Sequence, residues 1–178
     1  MGGGLIYRIF VMFELTVVQH SDLSESILEE IIHIKSISWP YCYESQIKWM
    51  ESNLKNIDLH FLLIVNNRII SYLNLIDIKI NINNNIINGY GVGNVCTIEK
   101  GKGYGNLLME QTNRYISQKK RVGLLFCKKE LVCFYKKFSW IQLEKNKLAL
   151  AFDNNNIETM IYNLPKIVYS LHYNGNYF

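Results

Sequence analysis

Metal-binding patterns are missing from this sequence. Its four cysteines form no C-x-x-C pair, and no histidine stands at zinc-ligand spacing from them, so we predict no metal site. Free and mostly buried thiols are the favoured interpretation of these cysteines, with a nucleophilic cysteine left open as the alternative. The residues concerned are Cys42, Cys96, Cys127 and Cys133.

Long apolar runs and strong charge are missing as well. No apolar stretch approaches the ~20 residues that span a bilayer, and no signal-peptide pattern is evident, so we expect a cytoplasmic protein that does not bind membranes. The net charge is only +4, and the densest basic run, Lys119-Lys120-Arg121, falls where a helix is expected to end and where the helix dipole favours cations. We therefore predict no nucleic-acid partner.

The composition that remains favours one folded domain over residues 1–178. Apolar residues make up 49% of the chain and charged residues 19%, which is typical of a globular domain able to bury a core. No internal repeat or linker interrupts it. Hydrophobic spacing and turn signals predict the element order β, α, α, β, β, β, α, β, α, β, β, an α/β fold.

Turn and cap residues set the limits of these elements. Ser24 is the expected cap of a first helix that ends before Trp39-Pro40, and the turns Asn66-Asn67 and Asn83-Asn84-Asn85 link neighbouring strands. The predicted strands are Leu5–Gln19, His60–Val65, Arg68–Ile80, Gly89–Ile98, Val122–Cys127, Ile141–Phe152 and Ile157–Leu164, and the later helices are Glu44–Leu54, a helix from near Gly105 to about Lys120, and Glu130–Phe138.

A glycine-rich stretch between a predicted strand and a predicted helix carries the clearest chemical signal. The strand 89–98 holds three glycines, and glycine within a strand often marks a bulge or the close approach of another backbone or ligand. The loop that follows reads Lys100-Gly101-Lys102-Gly103-Tyr104-Gly105-Asn106. Glycines allow successive backbone N–H groups to face an anion, and the helix N-terminus adds partial positive charge. The loop therefore predicts a pyrophosphate site, and its spacing fits neither a Walker A loop nor a dinucleotide fingerprint.

These residues resemble the GNAT superfamily of N-acetyltransferases. The family loop reads R/Q-x-x-G-x-G/A between a strand and a helix, and Lys100 here stands in place of the Arg or Gln. The family strand often ends V-x-P, where Val95-Cys96-Thr97 has Thr97 in place of proline. A second block, Phe134-Tyr135-Lys136-Lys137-Phe138-Ser139-Trp140, is similar to the F/L-Y-x-x-x-G-F/W of family members, with Ser139 in place of glycine. The resemblance in specific motifs extends over roughly residues 90–140, the range that contains both blocks.

The resemblance implies a fold, a cosubstrate and a reaction. The fold would be a mostly antiparallel, splayed sheet flanked by helices, and acetyl-CoA would donate an acetyl group directly to a primary amine. The backbone of Val95 and Thr97, with Cys96 between them, would bind the pantetheine arm, and residues 100–106 would bind the pyrophosphate. Tyr135 would protonate the departing thiolate; a packed core tyrosine is the alternative.

The acceptor and its base are less determined. Glu99 is the nominated base, with Asp77, His60 and a water relay left open. The favoured acceptor is a small-molecule amine; an aminoglycoside, a protein lysine or a protein N-terminus are alternatives. A non-catalytic acyl-CoA-binding module is the alternative from another class, and we leave open whether the chain forms a homodimer. Some aromatic and acidic residues of the first helical region could line the acceptor site; the alternative is that they belong to the core or the surface. They are Trp39, Tyr41, Tyr43, Glu44, Trp49 and Glu51.

Overall fold

The computed structural model describes residues 13–152, 155–164 and 167–178. Within these ranges an open sheet of nine strands is flanked by four α-helices. The strands are β1 (Glu14–Gln19), β2 (Leu59–Val65), β3 (Arg68–Ile82), β4 (Asn85–Thr97), β5 (Val122–Cys127), β6 (Ile141–Gln142), β7 (Leu148–Leu150), β8 (Glu158–Tyr162) and β9 (Leu171–Tyr173). The helices are α1 (Glu25–Ser38), α2 (Tyr43–Asn53), α3 (Tyr104–Gln118) and α4 (Val132–Lys136).

The sheet is mixed. Its strand order is β1-β2-β3-β4-β5-β8-β6, with β9 pairing both β3 and β7. The neighbours are antiparallel except for two parallel pairs, β4 with β5 and β7 with β9. β4 and β5 are joined through α3, and a connection that contains a helix is long enough to link two parallel strands.

Each face of the sheet buries its own apolar cluster. One face, which we call the α1/α2 face, packs side chains such as Ile31 and Met50 against strand residues such as Tyr72. The opposite face, the α3/α4 face, packs Leu108 of α3 and Tyr135 of α4 against the same strands. Strands in the middle of the sheet are therefore buried on both sides, which explains the nearly continuous apolar run of β2.

Asparagine turns shape the two hairpins as predicted. Asn66 and Asn67 have φ of 50° and 60°, and Asn83 and Asn84 have φ of 51° and 63°. Two successive residues at positive φ form the two-residue turn whose twist matches the flanking strands, and asparagine tolerates this conformation better than most residues. Asn85, placed in the predicted turn, already begins β4.

The first helices also agree with prediction. The Ser24 hydroxyl accepts a hydrogen bond from the backbone N–H of Ile27 at 3.3 Å and caps α1. The helix ends at Ser38, just before Trp39-Pro40. The helix 44–54 is confirmed as α2, and the strand 122–127 is confirmed without change as β5.

Two predictions near the C-terminal end were wrong, and a third segment had no predicted structure. Residues 141–152 do not form one strand: β6 pairs with β8, β7 pairs with β9, and a 3₁₀ turn at Lys145–Lys147 separates them. The helix 130–138 is shorter, since a 3₁₀ turn precedes α4 and Leu131 is exposed rather than packed. The tail left unassigned after 165 contains β9. The first eight residues of the strand predicted at Leu5–Gln19 lie outside the described residues; the rest is β1.

Among the described residues, no helix combines the length and apolar character that a membrane span requires. The same residues hold no group of three or more His, Cys, Asp or Glu side chains placed to bind a metal ion.

Candidate functional site

β4 and β5 separate from each other partway along their length. Their parallel pairing is limited to three positions, Gly89–Val122, Tyr90–Gly123 and Gly91–Leu124. Beyond Gly91, β4 continues to Thr97 while paired only with β3 on its other side, and β5 continues to Cys127 while paired with β8. A wedge-shaped opening, which we call the wedge, therefore lies between the two strands. Along the wedge, the facing edges of β4 and β5 do not pair with each other.

A bulge lies in β4 where it borders this opening. Asn74 pairs with Gly93 and Tyr72 with Cys96, so that one residue of β3 faces two residues of β4, Asn94 and Val95. Asn94 adopts φ of 54°. A bulge of this kind leaves an extra residue out of the ladder and bends the strand. β4 therefore bends at nearly the same place where its pairing with β5 ends.

The glycine-rich loop connects the end of β4 to α3. Gly101 and Gly103 have φ of 80° and 81°, a region that side-chain-bearing residues rarely adopt. Nothing lies within 4 Å of the positions where their Cβ atoms would be, so the loop is open to a ligand. Lys100 and Lys102 are exposed on this loop, which places positive charge beside it.

The N-terminus of α3 carries no side-chain cap. Gly103 is the N-cap residue and makes no side-chain hydrogen bond; its carbonyl accepts from the N–H groups of Asn106 and Leu107. The first turn of a helix presents N–H groups and a partial positive charge. The loop therefore combines positive-φ glycines with a helix start that has no capping side chain, a geometry that can accept an anion.

Tyr135 lies buried on the α3/α4 face. Its ring contacts Phe134, with 5.1 Å between ring centroids, and Trp140 at 6.4 Å. Burial, followed by the nearby groups of Cys127 and Tyr177, raises the pKa of the Tyr135 phenol well above its ordinary value, so the hydroxyl stays protonated at neutral pH. Cys127, one of the groups near Tyr135, ends β5, and this part of β5 is not paired with β4.

The second predicted block folds into a tight turn. Ser139 has φ of 63°, the conformation for which glycine is the usual choice. Asn113 of α3 holds the turn on both sides: its Nδ2 donates to the carbonyl of Phe138 at 2.7 Å, and its Oδ1 accepts from the Trp140 indole at 3.0 Å. The serine at this position therefore keeps the turn geometry at some cost in backbone strain.

The remaining predicted residues lie along β4 and its loop. Val95 is half-buried, Cys96 is buried on the α1/α2 face, and Thr97 donates its hydroxyl to the carbonyl of Glu99 at 3.1 Å. Burial raises the pKa of the Cys96 thiol to about 12, which leaves it protonated and argues against a nucleophilic role. The Glu99 side chain is exposed on the loop.

Other candidate residues have different surroundings. His60 is fully buried, and its two ring nitrogens contact His20 at 3.1 Å and the Tyr72 hydroxyl at 2.8 Å. Burial, with smaller effects of His20 and Lys35, lowers the pKa of His60 to about 3. Asp77 forms an ion pair with Arg121. Of the first helical region, Trp39 and Trp49 pack against the buried cluster, while Tyr41 and Tyr43 are exposed.

Sequence reasoning missed the tail that lies against the wedge. Phe178 is 8% exposed and belongs to the cluster of the α1/α2 face. A Cβ added to Gly91 would lie 2.5 Å from its ring, and one added to Gly93 would lie 3.1 Å from its backbone carbonyl carbon. The strand glycines did indicate a close approach, but nothing in the sequence identified the partner. The centroid of the Phe178 ring lies 5.0 Å from that of Phe126 and 5.8 Å from that of Tyr173.

A polar residue of β3 was missed as well. Asn74 is fully buried, and its Oδ1 accepts a hydrogen bond from the Asn94 side chain at 2.8 Å. Its Nδ2 is buried without a partner among the described residues. One asparagine among many in this chain gives no sequence signal of such a position.

Comparison with known proteins identifies the architecture. No protein-family model matches the sequence, and no curated protein is similar to it in sequence. Among solved structures, the Escherichia coli GNAT family N-acetyltransferase YhbS, in complex with CoA, matches with a TM-score of 0.67 at 9% identity over 96% of this chain and 94% of that one. ElaA from Escherichia coli matches at 0.62, with 18% identity over 84% of this chain and 99% of that one.

An acyl-CoA N-acyltransferase from Pseudomonas aeruginosa matches with a TM-score of 0.59 at 15% identity, over 84% of this chain and 97% of that one. These three likenesses cover most of each partner, and they share the mixed, open sheet flanked by helices. The chain therefore has the GNAT fold, and the predicted fold class is confirmed.

Proposed function

We propose that this protein is an N-acetyltransferase that moves the acetyl group of acetyl-CoA to a primary amine. The observation that carries the proposal is the separation of β4 from β5, followed by the open glycine loop at the uncapped start of α3. Together they offer a slot for an extended thioester arm and an anion site at its end. Neighbours with this fold, one of them solved with CoA, support the choice of cosubstrate.

The cofactor residues are those of β4 and the loop. The pyrophosphate binds to backbone N–H groups of Lys100, Gly101, Lys102, Gly103, Tyr104, Gly105 and Asn106. The two lysines add positive charge at an exposed position. The pantetheine arm lies along Val95, Cys96 and Thr97, whose strand edge is free of β5 and so has backbone groups available for hydrogen bonds.

The reaction is a direct transfer. The acceptor nitrogen, once deprotonated, attacks the thioester carbonyl and forms a C–N bond; the carbonyl carbon becomes tetrahedral and its oxygen negative. The C–S bond then breaks, and the Tyr135 hydroxyl gives its proton to the departing CoA thiolate. The nitrogen, positively charged after the attack, loses its surplus proton, which restores the Tyr135 phenol. Overall, an ammonium and acetyl-CoA yield an amide, CoA and one proton. A phenol whose pKa is raised by burial is available as an acid throughout the neutral range.

The base that removes the acceptor's proton is proposed to be Glu99. Glu99 is exposed beside the loop, where a carboxylate is free to accept a proton through water. The geometry favours structural roles for the other candidates, because both nitrogens of His60 are engaged and Asp77 is paired with Arg121. We therefore keep Glu99, with water, as the proposed base.

The acceptor is proposed to be a small molecule. The α1/α2 face beside the wedge is closed by aromatic side chains of the tail, which favours a compact acceptor over an extended peptide. A single domain over residues 1–178 and a cytoplasmic location stay predictions, and the oligomeric state stays open.

Calorimetry and a turnover assay test the proposal. Coenzyme A should bind, and Gly103→Val, which imposes a β-branched side chain at φ of 81°, should weaken binding at least tenfold. Asn84→Val is the matched control, because it strains a positive-φ turn position of 63° far from the loop and should leave the affinity unchanged.

Turnover is followed as CoA thiol release from acetyl-CoA with a panel of amines: polyamines, aromatic amines, an aminoglycoside and a lysine peptide. Tight binding with no release on any amine would identify a non-catalytic acyl-CoA-binding module. No binding of coenzyme A would overturn the proposed function.

A further inference from the structure

Within the part of the chain that the structure describes, Asn74 is fully buried, and only the oxygen of its side-chain amide has a hydrogen-bond partner. Its Oδ1 accepts a hydrogen bond of 2.8 Å from Asn94 Nδ2, and this bond orients the amide so that its own Nδ2 points elsewhere. That Nδ2 has no partner among the described residues. Leaving a buried N–H group unpaired costs about 1–3 kcal/mol, and such groups in folded proteins call for an explanation.

The amide lies at the point where β4 parts from β5. Asn74 pairs with Gly93, two residues beyond the last β4–β5 pair at Gly91. The bulge at Asn94 and Val95 begins there. Asn94, whose left-handed backbone forms the bulge, is also the residue that orients the Asn74 amide. The strand distortion and the unpaired donor are therefore parts of one arrangement.

Asn74 faces the side of the sheet opposite Tyr135. Side chains alternate along a strand, and its neighbours two positions away, Tyr72 and Ile76, belong to the cluster of the α1/α2 face. Tyr135 belongs to the cluster of the α3/α4 face. A thioester held in the wedge would thus have a proton donor for its sulfur on one face and an amide donor on the other.

We propose that Asn74 Nδ2 donates a hydrogen bond to the carbonyl oxygen of the bound acyl thioester. This inference rests on the proposed function. When the acceptor nitrogen forms its bond to the carbonyl carbon, the oxygen gains negative charge, and a fixed donor in a dry site stabilises that charge more strongly than it does the ground state. When the C–S bond breaks and Tyr135 protonates the thiolate, the carbonyl reforms and the charge disappears.

Phe178 covers this position in the absence of the thioester. Its carbonyl carbon and Asn74 Oδ1 lie 3.1 Å and 3.2 Å from the same point, the place of a Cβ on Gly93. For the acyl oxygen to reach the amide, Phe178 has to move off Gly93.

The test uses acetyl-CoA labelled with ¹³C at the acetyl carbonyl, bound to the full chain without acceptor. A hydrogen bond to the oxygen moves the carbonyl resonance downfield, so the bound signal should return toward its free position in Asn74→Leu, an apolar residue of similar size. Asn94→Gly, which removes the side chain that orients the amide and tolerates the positive φ of this position, should give a smaller return. Asn81→Leu is the control, because Asn81 lies on the same strand and also has an unpartnered buried side-chain atom, Oδ1, but is far from the wedge.

The kinetic counterpart is a fall in kcat of about 100-fold for Asn74→Leu, with coenzyme A affinity within twofold of the unmodified chain. Equal carbonyl shifts in the unmodified chain and in both Asn74 and Asn94 variants would overturn the role of Asn74 while leaving the acetyltransferase intact. If Asn74→Leu does not fold, Asn94→Gly decides in the same way. Failure of the unmodified chain to bind acetyl-CoA would overturn both inferences.

Discussion

The ring of Phe178 lies directly on the backbone of Gly91, so close that a methyl group on Gly91 would be 2.5 Å from its Cζ atom. Gly91 is also the last residue of β4 that pairs with β5. The tail of the described chain therefore packs at the vertex of the wedge, and the absence of a side chain at one strand position makes this packing possible.

This contact predicts a strong coupling between the two residues. Gly91→Ala should destabilise the protein by about 1–3 kcal/mol, because the new methyl overlaps the ring, and Phe178→Ala should cost about 2–4 kcal/mol through the lost burial. In the double variant the alanine at 91 fills part of the vacated space, so the combined loss should be clearly smaller than the sum. Urea denaturation of the four proteins measures the coupling, and additive losses would contradict the packing described.

Removing Tyr135's hydroxyl should separate catalysis from binding. Tyr135→Phe should lower kcat by about 10²–10⁴-fold, the range of a lost general acid, and leave the dissociation constant of coenzyme A within twofold. Tyr162→Phe is the matched control, since it removes a tyrosine hydroxyl bonded to Ser117 at 3.0 Å near the same Trp140 ring. Equal losses of kcat in the two variants would indicate that Tyr135 is a core tyrosine.

Lys35 should make the stability depend on pH in the alkaline range. It is 2% exposed, its Nζ lies 4.7 Å from the centroid of the Trp49 ring, and burial, opposed slightly by Cys96, lowers its pKa from 10.5 to about 8. Between these two values the unfolded chain binds more protons than the folded one, so the free energy of unfolding rises with pH there. Below pH 8 both states are protonated and the full penalty of burying the charge is present.

The corresponding substitution is Lys35→Met, which keeps the length of the side chain without its charge. It should stabilise the protein at pH 7 by about 1–3 kcal/mol, given about 1.4 kcal/mol per unit of pKa shift, and the gain should shrink by pH 10. Denaturant unfolding at pH 7, 8.5 and 10 gives the comparison. A gain that is the same at all three values would show that the lysine charge is not the cause.

Ser139 offers a stabilising change. Its φ of 63° is unstrained for glycine, so Ser139→Gly should raise the free energy of unfolding by about 0.5–1 kcal/mol. Ser139→Val, which makes the same backbone conformation harder to adopt, should lower it. Thermal unfolding of the pair tests this, and the opposite order would mean that the turn does not depend on the conformation of this residue.

Much of the fold could be predicted because its signals are local. The Ser24 cap, the stop before Trp39-Pro40 and the asparagine turns act over a few residues, and each was found where the sequence placed it. The strand 141–152 was misjudged for the opposite reason. Its β propensity is real, but the two halves pair with different strands, β8 and β9, and such long-range choices leave no local mark.

The candidate site divides in the same way. The glycine loop was visible in the sequence because a backbone that presents N–H groups to an anion needs glycines close together, and both positive-φ glycines lie in it. The unpaired amide of Asn74 was not visible, because its meaning depends on a register with Gly93 and on the orientation that Asn94 imposes.

The sequence by itself determined the helix limits, the hairpin turns and the position of the glycine-rich loop, since each depends on the conformations that a few neighbouring residues can adopt. Only the tertiary structure decided where β4 and β5 diverge, that Phe178 covers the vertex between them and that Asn74 and Tyr135 lie on opposite faces there. Those relations join residues up to about a hundred positions apart, and packing of the whole sheet, not local preference, brings them together.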